Sequence, residues 1–182
     1  MKIAYADPPY IGCAKRHYSD DPRCAEVDHA ELIARLVRDY DGWALSCSQN
    51  SLRTLLPMCP ERARVAVWLK TFSAASYCYP AYCWEPVIYL QPRKASGIKG
   101  PRRDVWVRDW ISCPIIMPGT RYDRKVRGAK PPEFCYWMFE ILLAEPGDSF
   151  DDLYPGSGIV TDCWNAFCKR PVQEGLFAKE ST

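Results

Sequence analysis

Residues 2–10 read Lys-Ile-Ala-Tyr-Ala-Asp-Pro-Pro-Tyr, and residues 149–158 read Ser-Phe-Asp-Asp-Leu-Tyr-Pro-Gly-Ser-Gly. In the first stretch a short apolar run of strand character stops where two prolines remove backbone donors. In the second, a strand expected over 149–154 runs into Pro155-Gly156-Ser157-Gly158, and Val160, Trp164, Phe167 and Cys168 then recur at helical spacing. Glycines at such a turn permit positive φ and let a ligand approach the backbone. The helix start beyond them offers unpaired N–H groups to an anion. Both stretches end a strand in an unusual loop, and ligands of α/β sheets bind at such ends.

The chain between them alternates in the same way. Asp28 with Glu31 reads as a capping box, followed by a helical stripe at Ala30, Ile33, Leu36, Val37 and Tyr40. Asp41-Gly42 breaks that helix before a strand from Trp43 to Cys47. A short helix from Ser48 to Leu56 stops at Pro57. Val65–Leu69 and Val87–Leu90 read as strands, and Val105–Ile111 as one more within a Pro-, Gly- and Arg-rich region. Pro131-Pro132 suits a helix start, with Phe134, Trp137, Met138, Ile141 and Leu142 buried and Pro146-Gly147 as the stop. Val172–Ala178 reads as a last strand. Strands alternating with helices predict an α/β fold with a mostly parallel sheet and helices on both faces. At 182 residues the whole chain, 1–182, is expected to be a single domain, with residues 91–129 as a basic, loop-rich insertion.

Charge is unevenly spread. Residues 91–130 hold eleven Lys or Arg against three Asp, a net +8, so the rest of the chain carries −6. A basic segment on an acidic body suits a polyanion partner or a solvated loop. No apolar run reaches the length of a membrane span, and the first residues lack the form of a signal peptide, so a cytoplasmic protein is expected, without a membrane partner. Ten cysteines are present. Cys47, Cys59, Cys135, Cys163 and Cys168 lie in or beside apolar patterns, where a thiol acts as a small hydrophobe. Cys78 and Cys83 have no second pair at a zinc spacing, and His17 and His29 are the only histidines. Reduced core cysteines and no metal are the expectation.

The acidic loop has a chemistry of its own. A stiff Asp-Pro-Pro-Tyr segment holds a carboxylate, a backbone carbonyl and an aromatic ring together. An exocyclic base amine has two N–H donors on a flat ring. The carboxylate and carbonyl can accept the two donors while the ring stacks on the base. Accepting them draws the nitrogen lone pair out of conjugation and makes it a better nucleophile. A turn with an Asp cap would also explain the segment.

Asp7-Pro8-Pro9-Tyr10 matches the D-P-P-Y signature of amino-methyltransferases that act on adenine, and Asp152 to Gly158 resembles their D-P-F-x-G-S-G cofactor motif. Lys130-Pro131 resembles their K-P element, Trp68-Leu69-Lys70 their W-x-K strand end, and Glu85-Pro86-Val87-Ile88 the stretch around a glutamate before the next strand. The order, catalytic loop first and cofactor loop last, is similar to the permuted beta group of DNA amino-methyltransferases, small bacterial or phage enzymes of restriction–modification type. The resemblance runs from Lys2 to about Ala178. It implies a Rossmann-like methyltransferase fold, S-adenosylmethionine as cofactor and DNA as partner, with a homodimer common in the group. It also implies that Asp7 and the Pro8 carbonyl hold the target amine, Pro9 fixes the loop and Tyr10 stacks on the base. Asp7, Asp152, Tyr154, Pro155, Gly156, Ser157 and Gly158 would line the cofactor, and Lys130 and Pro131 would help close its pocket.

The region 91–130 corresponds to target recognition in that family, so Arg93, Lys94, Arg102, Arg103, Arg108, Arg124 and Arg127 are the expected phosphate contacts. Trp106, Trp110 and Tyr122 lie among them as stacking or core residues, and Arg16 and His17 could fold over the base. Two departures stand out. The family's ribose-binding acid has only Glu174 as a candidate, with Lys169-Arg170-Pro171 where Gly-Arg is usual. The fold is also expected to be truncated at its carboxyl-terminal edge, because the next strand of the family has no counterpart before Thr182. Asp7, where cytosine-N4 enzymes more often carry Ser, favours adenine. Cytosine-N4 or RNA-base transfer and a non-catalytic nucleic-acid-binding relic are the competing readings.

Overall fold

A computed structural model of the chain describes residues 1–12, 26–70, 79–94, 107–116 and 128–169. Six strands form one sheet, β1 (Lys2–Ala6), β2 (Gly42–Ser46), β3 (Arg64–Leu69), β4 (Trp84–Leu90), β5 (Trp110–Ser112) and β6 (Ser149–Asp152), in the order β5-β3-β4-β2-β1-β6. β1 runs parallel to β2 and β6, and β3 to β5, whereas β4 is antiparallel to both of its neighbours. Four helices accompany the sheet, α1 (His29–Asp39), α2 (Gln49–Leu55), α3 (Pro132–Ile141) and α4 (Ile159–Cys168).

Period-two alternation sends the strand side chains to opposite faces. Ile3 and Tyr5 join Trp68, Val87 and Tyr89 under α3 and α4, where Phe134, Phe139, Trp164 and Phe167 form a ring-rich core. Ala4 and Ala6 join Trp43, Leu45, Ile88 and Leu90 under α1 and Leu55. Helices on both faces of a mostly parallel sheet are the expected Rossmann-like architecture.

Local chemistry sets the element ends. The Asp28 carboxylate accepts from the Ala30 and Glu31 amides at 3.0 and 3.1 Å, so the α1 cap is present. The buried stripe is His29, Leu32, Ile33 and Leu36 with Tyr40, while Ala30 and Val37 face solvent. The helix is rotated about its axis from the expected stripe, because the capped start puts His29 inward, where its Nδ1 lies 2.9 Å from the Val27 carbonyl. Gly42 is required by crowding: a Cβ there would lie 2.4 Å from Pro92 Cδ and 2.9 Å from the Leu90 carbonyl.

Several boundaries differ from expectation. β4 begins at Trp84 and carries Pro86 inside an interior strand. The proline fits because its carbonyl accepts from the Cys47 amide at 3.2 Å, and the β2 ladder has already ended at Ser46 opposite Val87, so no N–H is missed. β5 is only Trp110–Ser112; residues 107–109 precede it as irregular chain. α3 stops at Ile141, ahead of Pro146-Gly147, where Leu143 takes a positive φ of 56°. The expected strand 172–178 lies outside the described residues. Cys47, Cys113, Cys135 and Cys163 are buried outside any disulfide, and burial pushes the Cys47 thiol up to about 12. Among the described residues no helix is long and apolar enough to cross a membrane.

Candidate active site

Because β4 runs against its neighbours, its first residues meet the last residues of the other strands along one edge of the sheet. Asp7 leaves β1 there, Lys70 leaves β3 opposite the start of β4, and Asp152 ends β6. The register pairs Tyr5 with Asp152, and the Leu153 amide donates to the Tyr5 carbonyl at 2.9 Å. The Asp-Pro-Pro-Tyr loop and the glycine-containing turn therefore leave the sheet side by side on neighbouring strands.

Asp7 ends a string of alternating charges. Lys130 Nζ donates to Asp7 Oδ2 at 2.7 Å and lies 3.1 Å from Glu85 Oε1; Lys70 Nζ donates to Glu85 Oε2 at 2.8 Å. The side chains of Lys130 and Glu85 are 4 and 7 % exposed and those of Asp7 and Lys70 22 and 20 %, so Asp7 is the carboxylate of the string that a ligand can reach. The Lys130–Glu85 contact is an ion pair without hydrogen-bond alignment, since Glu85 Oε1 has no hydrogen-bond partner. Tyr10 donates to Asp7 Oδ1 at a long 3.3 Å, and its hydroxyl also neighbours Glu85.

The surroundings keep the string dry. Lys130 lies 5.9 Å from the Trp68 ring centre and 6.0 Å from that of Phe134, and Lys70 lies 4.9 Å from Trp68. Trp68 is itself fixed by donating its indole N–H to the Cys113 carbonyl at 2.9 Å. Burial pushes the Asp7 carboxyl above its ordinary value, and the Lys130 ammonium pulls it partly back. Burial also pushes Glu85 up, but its two lysines outweigh that and hold it below the usual range. Burial would lower Lys130, yet Asp7 and Glu85 raise it, so its charge is secure. Beneath the string the Tyr5 hydroxyl and Ser46 Oγ share a 2.8 Å hydrogen bond.

The second loop is shaped for a ligand. Gly156 and Gly158 have φ of 42° and 76°, and Gly158 is the residue immediately before α4. Its carbonyl accepts from the Asp162 amide at 3.0 Å, which starts the helix. Asp152 Oδ2 accepts from Thr161 Oγ1 at 3.2 Å, whereas Oδ1 is buried without a hydrogen-bond partner. An orphaned buried carboxylate oxygen costs about 1–3 kcal/mol and marks a place where a ligand donor would fit. Burial raises the Asp152 carboxyl accordingly.

The structure thus brings together Asp7, Pro8, Pro9, Tyr10, Lys130, Pro131 and residues 152–158. Lys130, expected to help close the cofactor pocket, lies against Asp7. The ammonium is spent on Asp7 and Glu85, and Pro131 carries the first turn of α3 by accepting from the Cys135 amide at 3.2 Å. Arg93 is displaced from its expected place as a phosphate contact. It follows β4 at the opposite edge of the sheet and is committed to Asp148 and the Leu143 carbonyl. Lys94 is its neighbour, and Arg108 precedes β5, with its guanidinium 5.1 Å from the Trp110 ring centre. Arg16, His17, Arg102, Arg103, Trp106, Tyr122, Arg124, Arg127 and Glu174 lie outside the described residues. The sequence reading passed over Glu85 and Lys70 as site residues. Their signal was the Trp-Leu-Lys and Glu-Pro pair at facing strand ends.

Two open surface concavities, of about 590 and 500 Å3, lie along α2 and between α1 and the turn at Met58–Pro60. Neither is lined by Asp7 or Asp152, so charge pairing marks this site better than cavity size does.

No protein-family profile matches the sequence. No curated protein matches it. Among solved structures the chain is similar to the crystal structure of an M1.HpyAVI–SAM complex. The TM-score is 0.61 and the identity 16 %, over 91 % of this chain and 78 % of that one. It is also similar to a crystal structure of M1.HpyAVI, with a TM-score of 0.54 and 17 % identity, over 92 % of this chain and 77 % of that one. At these identities the likeness is one of fold.

Proposed function

We propose that this protein transfers a methyl group from S-adenosylmethionine to the exocyclic N6 amine of an adenine in DNA. The observation that carries the reading is the adjacency of Asp7 and the Asp152–Gly158 turn on parallel neighbouring strands. It sets an acceptor for an amine beside a turn suited to a small charged ligand. The fold likeness to a complex that holds SAM supports the same cofactor here.

The residues present fit that cofactor. Asp152 Oδ1 is an acceptor in need of a donor, which the ammonium at its methionine end would provide. The amino end of α4, which follows the glycine turn, would suit its carboxylate. Tyr154, Pro155, Gly156 and Ser157 line the same turn, with Asp7 and Pro131 at its border. When bound, S-adenosylmethionine supplies an electrophilic methyl group on a positively charged sulfur.

The chain's own residues prepare the nucleophile. Lys130 occupies Asp7 Oδ2, which leaves Oδ1 with the weak Tyr10 contact alone. An amine N–H displaces that contact and binds Oδ1, and the Pro8 carbonyl accepts the second N–H. The lone pair is drawn out of conjugation, and the released Tyr10 ring stacks on the base. After the nitrogen gains its new bond it must lose a proton. Asp7 Oδ1 is the nearest acceptor, and burial has raised its affinity for a proton. The proton then leaves to water from the exposed side of Asp7. A base within a duplex cannot reach Asp7, so extrusion or single-stranded substrate is required. The basic stretch 91–130 supports a polyanion as substrate, and aspartate at position 7 supports adenine.

The test is incubation with radiolabelled S-adenosylmethionine and unmethylated DNA or RNA, followed by nucleoside analysis. Label in N6-methyladenine from DNA is expected. Label in N4-methylcytosine or in RNA would move the reading to those substrates, and tight DNA binding without transfer would end it.

A further inference from the structure

Asp7 is not the only buried carboxylate at this edge. Glu85 comes from the start of β4, faces the same ammonium and is less exposed than Asp7. Nothing in the amine-holding chemistry above uses it. Its Oε2 is anchored by Lys70 at 2.8 Å, while Oε1 stands 3.1 Å from Lys130 without hydrogen-bond alignment. Lys130 therefore has two acceptors within reach and makes a hydrogen bond to one of them.

We propose that Glu85 is a positioning residue for Asp7: anchored by Lys70, it shares the Lys130 ammonium, so that Lys130 pins one oxygen of Asp7 and leaves the other open to the target amine. The proposal rests on the amine-methylating reading of the same site. Its logic is electrostatic. A buried carboxylate must remain ionised to accept an N–H, and Lys130 secures that. Too tight a pair with Lys130 would draw the charge away from the open oxygen. Glu85 counters this by holding part of the ammonium's field, and Lys70 keeps Glu85 itself ionised. Alternating signs along Lys70, Glu85, Lys130 and Asp7 leave the string neutral, which is how four charged groups remain in a dry place.

The other titratable groups facing the string are fixed. Tyr5 on β1, Tyr10 in the loop itself and Asp152 on β6 face Asp7. Cys47 beyond β2 faces Glu85, and Cys135 on α3 faces Lys130. Burial raises both tyrosines well above the range of a carboxylate titration, and Asp152 is the remaining carboxylate that must be separated from Asp7.

Lys130 and Glu85 act on Asp7 with opposite signs. Lys130 lowers the proton affinity of Asp7 and Glu85 raises it. Carboxyl-carbon NMR titration of the whole protein, with Asp7→Asn and Asp152→Asn to assign the signals, reads the Asp7 midpoint directly. Lys130→Met is expected to move it up and Glu85→Gln to move it down, each by about one pH unit, a tenfold change in the ionised fraction on the acid side. Lys70→Met, which removes the anchor that keeps Glu85 ionised, raises the Glu85 midpoint, and Lys130→Arg keeps the Asp7 midpoint near wild type. The acid limb of kcat/KM for methyl transfer follows the same signs. A merely structural role for Glu85 would not produce them.

Shifts of equal sign for Lys130→Met and Glu85→Gln, or an unchanged Glu85 midpoint in folded Lys70→Met, overturn the proposal. Wild-type protein that transfers no methyl group while showing both signs overturns the functional reading instead and leaves the charge arrangement standing.

Discussion

Two ion clusters sit at opposite ends of β1, and they are built to opposite ends. At the amino end Asp148 is filled. Its Oδ1 accepts from the Met1 amine and Arg93 Nη2, both at 2.7 Å, and its Oδ2 from Arg93 Nη1 at 3.0 Å and the Glu145 amide at 2.8 Å. Burial pushes this carboxyl up, but Arg93 and the terminal ammonium hold it below the usual range. At the carboxyl end Asp7 has one firm partner and one long one, and its carboxyl is raised. Glu85 Oε1 and Asp152 Oδ1 lack hydrogen bonds altogether. A saturated carboxylate ties β6, β4 and the chain start together. An undersaturated one keeps acceptor capacity for something that is not part of the protein.

The largest expected effect breaks the site without breaking the clamp. Asp7→Ala should lower kcat/KM for methyl transfer by about a thousandfold, the scale of losing a preorganised acceptor, while circular dichroism shows the fold retained. Next, Asp148→Ala should do the reverse. Chemical denaturation should show a loss of about 2–3 kcal/mol, discounted for the partly exposed Met1 and Arg93 partners. Transfer at a permissive temperature should be unaffected. If Asp148→Ala depresses transfer as strongly as Asp7→Ala does, the two clusters are not separable.

Tyr10 sharpens the comparison. Loss of a stacking ring in Tyr10→Ala should raise KM for DNA in proportion to about 1–2 kcal/mol, whereas Tyr10→Phe, which keeps the ring and loses the hydroxyl beside Asp7 and Glu85, should stay within about threefold. A smaller effect belongs to Gly158→Ala. Its φ of 76° imposes about 1 kcal/mol on any residue with a Cβ, and cofactor titration by calorimetry should show weaker binding.

The smallest expected effect is a difference in sign with pH. Asp148, with its carboxyl depressed, contributes stability that is present above the unfolded value near 4 and lost as pH falls through the lower folded value. Asp7, with its carboxyl raised, does the opposite. Its ionised form opposes folding at neutral pH, and stability is regained as pH falls through the raised value. Melting curves of Asp148→Asn and Asp7→Asn against wild type between pH 3 and 7 should therefore show a loss for the first and a gain for the second at pH 7. Both differences should shrink on acidification. A gain for both would mean that the amino-end clamp is also under strain.

Much of this arrangement was legible in the chain. Strand-ending prolines after Asp7 and the glycines after Tyr154 fixed which two loops to compare, because both residue types constrain the backbone without help from distant contacts. Strand direction was not legible. The apolar run of β4 reads the same whether the strand is parallel or antiparallel, and its reversal is what carries Glu85 to the site. Pairing between distant charges was equally hidden. Lys130 and Asp7 are 123 positions apart, and only the finished sheet brings them to 2.7 Å. Arg93 was assigned to phosphate binding from local charge density, but its partner Asp148 lies 55 positions on and settles its place.

The reversal of β4 also gives the connection from β3 a neck. The Lys70 amide donates to the Cys83 carbonyl at 2.7 Å, and the Lys70 ammonium reaches Glu85 at 2.8 Å, so the connection leaves and re-enters the sheet through a fixed gap. Length and composition beyond that gap are insulated from the register below it, because closing a longer loop between the same two posts adds only a slowly growing entropy. A longer or shorter connection there is expected to leave the Lys70–Glu85 contact, and the groups aligned by it, where they are.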